Sequence, residues 1–394
     1  MSHRPVVVLA DGVTALGVLR AFARQGIPTF VHPHSREELR HSRWYRPLLQ
    51  EKHDAAPSAS ALADALHRSG LEQAFLCACS DEWHRIVAEF SESNDSRFVS
   101  AVPSRAALDT LQDKAGFALL LERLKVPMPA TRLISAKDEI ADLPPSNETF
   151  YFLKPTDSQK FQVRFGVKGF RVRSEAEART RLDEIDAAKL SVVLQEYIPG
   201  SFTEHHFVDG YVARTGAITG LFGRRRVRIY PPDFGNSTAM LSIPLEQVSG
   251  AVASVRRVLD AVNYRGIFSA EFKRDPRDGL FKMLEINTRP WWFIDFAVRC
   301  GVDVCRMAYD DAQGHMVEVV NEYSVGAACI FPYYDFFAAQ PLLHSGSLSW
   351  SHWATELMRA YQPVACWDDP LPGIAGFTRV IAAALRRRLP GQRS

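Results

Sequence analysis

The first hundred residues alternate short apolar runs with amphipathic segments, and this order restricts the folds open to them. The runs "PVVVLA", "PTFVHP" and "AFLCACS" predict strands, while "TALGVLRAFARQG" and "ALADALHRSG" predict helices that end at Gly26 and Gly70. Strands that are separated by helices usually pair in parallel, with the helices covering the sheet. We therefore predict an α/β domain with a parallel sheet over residues 1–110.

Composition and charge indicate a folded protein with no general attraction to polyanions. The 394 residues are 46% hydrophobic and 23% charged, and the chain is long enough for two or three domains. A net charge of +2 argues against nucleic acid or a membrane as partner. No apolar run reaches the roughly 18 residues of a membrane helix, and the N-terminal run is too short for a signal peptide. Six scattered cysteines predict neither a disulfide scaffold nor a metal site. We expect a cytoplasmic protein.

A second unit begins near "LDTLQDKAG", where Asp113 and Lys114 open a long helical stretch that ends at Val126. "ETFYFLKPTDS" and "SVVLQEYIPGSF" follow as strand-like runs. Between residues 200 and 325 the pattern predicts mainly strands and one helix, in "PLEQVSGAVASVRRVLDAVN". The last seventy residues are rich in aromatic side chains and predict no separate motif.

The segment "SAEFKRDPRDGLFKMLEINTRP" contains two strand-like runs joined by the turn "RDPRDG". A hairpin about that turn brings Glu271 to the level of Glu285, and two facing carboxylates destabilise a hairpin unless a cation lies between them. Asn287 adds an amide oxygen to the same face, because side chains two apart on a strand point the same way. These hard ligands suit Mg²⁺, and Arg289 beyond them suits a phosphate or carboxylate. The alternative is that these residues lie on a solvent-exposed face of the hairpin and that their charges have no functional role.

Taken together, the ordered motifs resemble those of the ATP-grasp superfamily, in particular a subgroup that includes D-aspartate ligase and the carbamoyl-phosphate-synthase-like ligases. The hairpin resembles the strand pair that holds two magnesium ions in that superfamily. Other matching motifs are "DKAGFALLLERLKVPMPAT", "YFLKP", "LQEYIPG", "GSFTEHHFVDG" and "GLFGRRRVRIYPPDFGNSTAM". The resemblance covers roughly residues 1 to 315.

The resemblance implies a role for each matching residue. It implies that the metal ligands are Glu271, Glu285 and Asn287, and that the catalytic residues are Arg289, Arg226 and Lys154. It implies that ATP is held by Lys114, Lys154, Gln195, Glu196, Tyr197, Ile198, Glu204 and Arg226. In this assignment the residues from Gln195 to Ile198 form the hinge at the adenine, and Glu204 contacts the ribose.

The resemblance also implies a domain order. It implies a pre-ATP-grasp α/β domain over residues 1–110, followed by a two-lobed, α+β ATP-grasp fold. The lobe that carries the lid spans residues 111–195, the lobe that carries the metal site spans 196–318, and residues 319–394 form a C-terminal extension.

The activity that the resemblance implies is ligation of a small carboxylate, such as an amino acid, to an amine. ATP would phosphorylate the acid, the amine would displace phosphate from the acyl phosphate, and ADP and phosphate would leave. The implied cofactors are ATP and two Mg²⁺ ions, for which Mn²⁺ could substitute, and a homodimer is a common assembly. Use of bicarbonate as the acid, or a catalytically silent nucleotide-binding regulator, are the alternatives.

Several features depart from the family pattern. The segment after Lys154, "TDSQKFQVRFGVKGFRV", is poor in glycine for a phosphate-covering lid. Arg226 stands where the subgroup commonly has lysine. Trp291 and Trp292 suggest an individual pocket, to which Arg228 and Tyr230 could contribute; ordinary packing is an equally good interpretation of all four. For "GRRRVR", a nucleic-acid patch is the weaker alternative to phosphate contact.

Overall fold

The computed structural model describes residues 3–388 apart from 36, 52–55, 94, 135–150, 156–157, 168 and 233–234. Within these residues the strands are β1 (Val6–Leu9), β2 (Thr29–His32), β3 (Ala74–Ala78), β4 (Phe98–Ser100), β5 (Thr131–Leu133), β6 (Tyr151–Pro155), β7 (Phe170–Val172), β8 (Val192–Glu196), β9 (His205–Val212), β10 (Ile218–Tyr230), β11 (Asn236–Ser242), β12 (Gly266–Arg274), β13 (Phe281–Asn287) and β14 (Ala328–Ile330).

The α-helices are α1 (Gly12–Ala23), α2 (Ala59–Ser69), α3 (Asp81–Ser91), α4 (Arg105–Gln112), α5 (Lys114–Arg123), α6 (Ser158–Phe165), α7 (Glu175–Ala187), α8 (Ser249–Ala261), α9 (Ile294–Cys300), α10 (Val304–Ala312), α11 (Pro332–His344), α12 (Trp350–Arg359) and α13 (Leu371–Arg388). Short 3-10 helices occupy Glu38–His41, Phe202–Glu204 and Leu245–Val248. None of the described helices is both long and apolar enough to cross a membrane.

The N-terminal sheet confirms the predicted α/β arrangement. Its strands lie in the order β2-β1-β3-β4, and all three pairings are parallel. Each of the three predicted apolar runs forms a strand, and every residue of β1 is buried. Helix α2 ends at Gly70, which adopts the left-handed conformation (φ 69°) that glycine allows at a helix C-terminus.

Two antiparallel sheets form the rest of the fold. The larger has the order β13-β12-β9-β10-β11-β14, and α8 packs its apolar face on part of it. The smaller has the order β5-β8-β6-β7 and packs against α7 around Leu182 and Ile185. The predicted mixture of a parallel sheet with an α+β remainder is therefore confirmed.

The prediction of one helix between residues 200 and 325 is wrong, because α9 and α10 also lie there. The whole first turn of α9, from Ile294 to Ala297, is buried, so this short helix lacks the polar face that gives a 3.6-residue pattern. The two helices pack beside α1, and Tyr309 of α10 meets the rings of Phe22 and Phe75 at centroid distances of 5.8 and 5.6 Å. The N-terminal domain thus shares a core with a later part of the chain.

The C-terminal region is tied to the N-terminal domain through a buried ion pair. Arg20 of α1 is fully buried, and its Nε donates to Asp369 Oδ2 at 2.9 Å. Its terminal nitrogens donate to the carbonyl oxygens of Pro363 and Val364 at 2.9 and 2.8 Å. Since β14 also adds an edge strand to the larger sheet, the predicted extension is built into the fold at two places.

We expect Arg20→Met to lower the free energy of unfolding by roughly 3–5 kcal/mol, because it leaves the carboxylate of Asp369 buried without its charged partner. Urea denaturation measures the change. Arg181→Met, which removes an exposed pair with Glu184, is the control, and we expect it to change the unfolding free energy by less than about 1 kcal/mol. Equal effects of the two substitutions would contradict the role given to Arg20.

Candidate active site

The hairpin of β12 and β13 places two carboxylates opposite each other. Glu271 is the register partner of Glu285, and Ser269 is the partner of Asn287, so the predicted alignment about the turn is confirmed. The Asn287 amide nitrogen lies 3.2 Å from Glu285 Oε1. Like charges in this position destabilise a hairpin, so their cost must be offset by neighbouring groups.

Glu271 is held in its charged form by neighbours from other strands. His205 Nδ1 lies 2.8 Å from Oε1 of Glu271, and Arg226 donates to the same oxygen at 3.1 Å. Burial alone would raise the pKa of Glu271, but the hydrogen bond from His205 and the positive charges of Arg226 and Lys154 outweigh it and lower the pKa to about 2. His205 was not predicted as a site residue. The only local signal for it is the strand-like pattern of "EHHFVD", in which alternate side chains point to the same face.

Two arginines of β10 reach the same face. Arg226 is buried and also donates to the hydroxyl of Ser237 at 2.8 Å. Arg224, two residues earlier, forms a buried ion pair with Asp209 at 2.5 Å. Burial raises the pKa of Asp209, and the Arg224 charge opposes this increase. Neither Arg224 nor Asp209 was predicted as a site residue, because their contact depends on the pairing of β9 with β10.

Two lysines face this hairpin from the other side of the cleft. Lys154 lies on β6 and is partly buried. Burial lowers the pKa of Lys154, while the negative charges of Glu285 and Glu271 act in the opposite direction. Lys114 begins α5, after its N-cap residue Asp113, and donates to the carbonyl oxygen of Pro155.

Arg289 connects the hairpin to the N-terminal domain. Its Nε donates to Asp81 Oδ1 at 3.0 Å, and Asp81 is the first residue of α3. The predicted catalytic arginine therefore lies where the N-terminal domain closes one end of the cleft.

Most of these groups line one cleft of about 960 Å³, whereas His205 and Asp209 contact residues of its lining. The predicted residues that line it are Lys114, Lys154, Gln195, Arg226, Glu271, Glu285, Asn287 and Arg289. The predicted residues that do not line it are Glu196, Tyr197, Ile198 and Glu204. Trp291 and Trp292 line it as well, whereas Arg228 and Tyr230 do not.

Arg228 and Tyr230 instead contact the C-terminal region, so ordinary packing is the correct interpretation for this pair. Arg228 forms a buried ion pair with Asp335 at 2.8 Å and a second one with Glu356 at 2.9 Å. Tyr230 stacks on Phe337 with ring centroids 5.3 Å apart. Because the partners of Arg228 are carboxylates of this chain, the nucleic-acid alternative for "GRRRVR" gains no support from it.

The side chain of Lys273 donates hydrogen bonds to the backbone of the predicted hinge. This lysine is 2% exposed, and its Nζ donates to the carbonyl oxygens of Ile198 and Gly200 at 2.7 and 3.1 Å. The Nζ also lies 4.4 Å from the centroid of the Tyr197 ring. Burial and the charge of Arg226 lower the pKa of Lys273 to about 8. Glu196 is paired with Arg277, so its carboxylate is already engaged.

The glycine-poor lid is only partly described, since 156–157 and 168 lie outside the described residues. The described part contains α6 and β7. A Cβ at Gly169 would lie 2.7 Å from the Leu153 carbonyl oxygen and 2.8 Å from the Phe152 ring. This glycine is therefore required by the close approach of the chain to β6, a structural reason that is independent of lid movement.

The donor set fits a hard divalent cation. The described residues contain no group of three or more His, Cys, Asp or Glu side chains placed to hold a metal, so a metal here would depend on two carboxylates and an amide. His205 and Arg226 both contact Oε1 of Glu271, and a cation would be held by Glu271, Glu285 and Asn287. A cation between Glu271 and Glu285 would also relieve their repulsion.

Comparison with known proteins gives the family context. No family model matches the chain. The sequence is 22% identical over 246 residues to a D-aspartate ligase of Enterococcus faecium, a match that covers 60% of this chain and 58% of that protein. The chain thus aligns with less than two thirds of the length of this curated relative.

Solved structures of ligases and synthetases share the fold. An N5-carboxyaminoimidazole synthetase from Staphylococcus aureus complexed with ADP superposes with a TM-score of 0.63 at 12% identity, over 83% of this chain and 82% of that one. An L-amino acid ligase from Bacillus licheniformis superposes with a TM-score of 0.57 at 12% identity, over 79% of this chain and 74% of that one. The chain therefore has the ATP-grasp fold that its motifs predicted, and its sequence is similar to that of a D-aspartate ligase.

Proposed function

We propose that this protein is an ATP-dependent ligase that activates a small carboxylate as an acyl phosphate and joins it to an amine. The observation that carries the proposal is the cleft that brings Glu271 and Glu285 together with Lys154 and Arg226 in an ATP-grasp fold. Phosphoryl transfer needs mainly positioning and neutralisation of charge, and this cleft has groups for both.

In this proposal the residues divide the work by the charges they carry. Lys114 and Lys154 neutralise the phosphates of ATP, and the hinge receives the adenine at Gln195, the hinge residue that lines the cleft. Glu271, Glu285 and Asn287 would hold Mg²⁺, for which Mn²⁺ could substitute, and the ions would supply positive charge that neutralises the phosphates. Arg226 and Arg289 stabilise the transferred phosphoryl group and the acyl phosphate.

The reaction proceeds in two displacements. A carboxylate oxygen of the acid attacks the γ-phosphorus, the bond to the bridging oxygen breaks, and ADP leaves. The amine nitrogen then attacks the acyl carbon, the carbon–oxygen bond to phosphate breaks, and the nitrogen loses a proton. No nucleophilic side chain is required, because ATP activates the acid. We also propose a cytoplasmic homodimer whose domains follow the four predicted ranges.

ADP release over a panel of amino acids, other small acids and amines tests the function. We expect an acid and an amine together to stimulate ADP formation, and bicarbonate in a separate arm to give no more than background. Stimulation by bicarbonate alone would identify a carboxylase-type reaction instead. If no arm stimulates ADP formation while ATP still binds with Mg²⁺, the protein is a silent nucleotide binder.

We expect Glu285→Gln to lower the rate of ADP formation about 100-fold or more, because it removes a charged ligand from the proposed metal site. Without metal, the variant should unfold at the same temperature as the wild type or slightly higher, since it relieves repulsion with Glu271. Glu318→Gln, at an exposed position, is the matched control and should leave the rate unchanged. Wild-type activity in the Glu285 variant would rule out the metal assignment.

Lys273→Met tests the hinge assignment. The substitution keeps the volume of the side chain but removes the donor to two hinge carbonyl groups, so we expect the Kd for ATP to rise about 10-fold and the protein to lose roughly 2 kcal/mol of stability. Calorimetric titration with ATP measures the first effect and urea denaturation the second. Lys282→Met, whose lysine pairs with Asp278 on the same hairpin, is the control. A loss of stability with unchanged ATP affinity would contradict a role for Lys273 in the nucleotide site.

A further inference from the structure

Beyond the two carboxylates the cleft changes from charged to aromatic. Ser269 lies two residues before Glu271 on β12, and the chain after Asn287 continues into three successive aromatic residues. We call this end of the cleft the aromatic subsite. It is lined by Phe207, Arg224, Ser269, Trp291, Trp292 and Phe293. Because it adjoins the proposed metal site, a molecule bound here would lie next to the transferred phosphoryl group.

The charge of Arg224 is neutralised within the aromatic subsite. Its Nε contacts Asp209 at 2.5 Å, and its Nη2 contacts the Ser269 hydroxyl at 3.4 Å. The guanidinium carbon lies 4.0 Å from the centroid of the Phe207 ring and 5.6 Å from that of Phe293. Arg224 therefore forms part of a wall of flat groups and carries no spare charge for a ligand.

The other arginines of the cleft are also paired with carboxylates of the protein. Arg226 is paired with Glu271, Arg289 with Asp81, and Arg85 with Asp109, at 3.1, 3.0 and 3.2 Å. With Arg224 these are all the arginines that line the cleft as the structure describes it. The two lysines that line the cleft, Lys114 and Lys154, are assigned to the phosphates of ATP. An acid with a second carboxylate would therefore have to compete with one of the arginine ion pairs, whereas an apolar body would need none of them.

One polar atom of the aromatic subsite has no partner. Trp291 is 4% exposed, and its indole Nε1 is buried without any acceptor among the described residues. A buried N–H group without a partner costs free energy, and native proteins rarely retain one. Elsewhere in the chain the indole N–H of Trp353 donates to Asp335 at 2.9 Å. An acceptor brought by a ligand would satisfy the N–H group of Trp291.

We propose that the Trp291 indole N–H donates to an oxygen of the acid substrate, and that the aromatic subsite selects an acid with an apolar or aromatic body over one with a second carboxylate. The inference rests on the proposed ligase function, whose acid it specifies. It also separates this protein from its curated relative, which is named for aspartate.

Matched acids test the selectivity. Phenylalanine and aspartate differ only in a phenyl group against a carboxylate, and 3-phenylpropionate and succinate differ in the same way. Each acid, with both enantiomers of the amino acids, is incubated with MgATP and hydroxylamine, which traps an acyl phosphate as a hydroxamate whatever the natural amine. We expect kcat/KM to be at least 10-fold higher for the phenyl member of a pair. A higher value for aspartate or succinate would overturn the proposal and leave the ligase function intact.

Trp291→Phe tests the hydrogen bond, because it removes the N–H group and keeps an aromatic ring. We expect KM for the phenyl acid to rise about 10-fold and KM for ATP to stay unchanged. The smaller ring also leaves a cavity at this buried position, so some loss of stability is expected and is measured separately by urea denaturation. Trp353→Phe is the control; it should lower stability and leave KM for the acid unchanged. An unchanged KM for the acid in the Trp291 variant would overturn the assignment.

Direct binding separates failure of this inference from failure of the proposed function. Calorimetry of 3-phenylpropionate with the wild-type protein and with Trp291→Phe, both in the presence of MgADP, requires no turnover. Binding that weakens about 10-fold in the variant supports the aromatic subsite, even if no acid releases ADP and the ligase function fails. Absence of binding to the wild type, or equal binding to both proteins, overturns the aromatic subsite.

Discussion

The placement of Glu271 opposite Glu285 on one hairpin is the constraint on which the site depends. Two facing carboxylates repel each other, and burial of Glu271 adds to the cost. The structure offsets this cost with His205 from β9, Arg226 from β10 and Lys154 from the other lobe. Side chains from three separate elements therefore contribute to the stability of the hairpin. The groups that stabilise it are also those that the proposed chemistry requires, so folding and function draw on the same charges.

Further ion pairs join the sheets and domains around this hairpin. Arg289 reaches Asp81 in the N-terminal domain, Arg20 reaches Asp369, and Arg228 reaches Asp335. The last two are buried, so each carboxylate depends strongly on its arginine. Together with strand β14, these contacts make the C-terminal region part of the support for the cleft. The predicted extension is thus an integral part of the protein.

The same pairing shapes what the cleft can accept. Because the cleft arginines are already neutralised, binding of an anion at Arg226 or Arg289 must be accompanied by a change at Glu271 or Asp81. Binding of an apolar group in the aromatic subsite requires no ion pair to break. The cleft therefore has a charged part and an aromatic part.

The sequence by itself determined the strand and helix order of the N-terminal domain and the hairpin of β12 and β13. Strand and helix alternation, the Asp113 cap of α5 and the turn after Arg274 are local signals, because they depend on neighbours within a few residues. Alternation of period two also placed Glu285 and Asn287 on one face. Only the tertiary structure decided that His205, Arg224 and Asp209 belong to the site and that Lys273 supports the hinge. It also decided that the Trp291 N–H has no partner. These features depend on which strands become neighbours in the sheet and on which charged side chains pair with each other. Such long-range pairings produce no periodic pattern in the sequence.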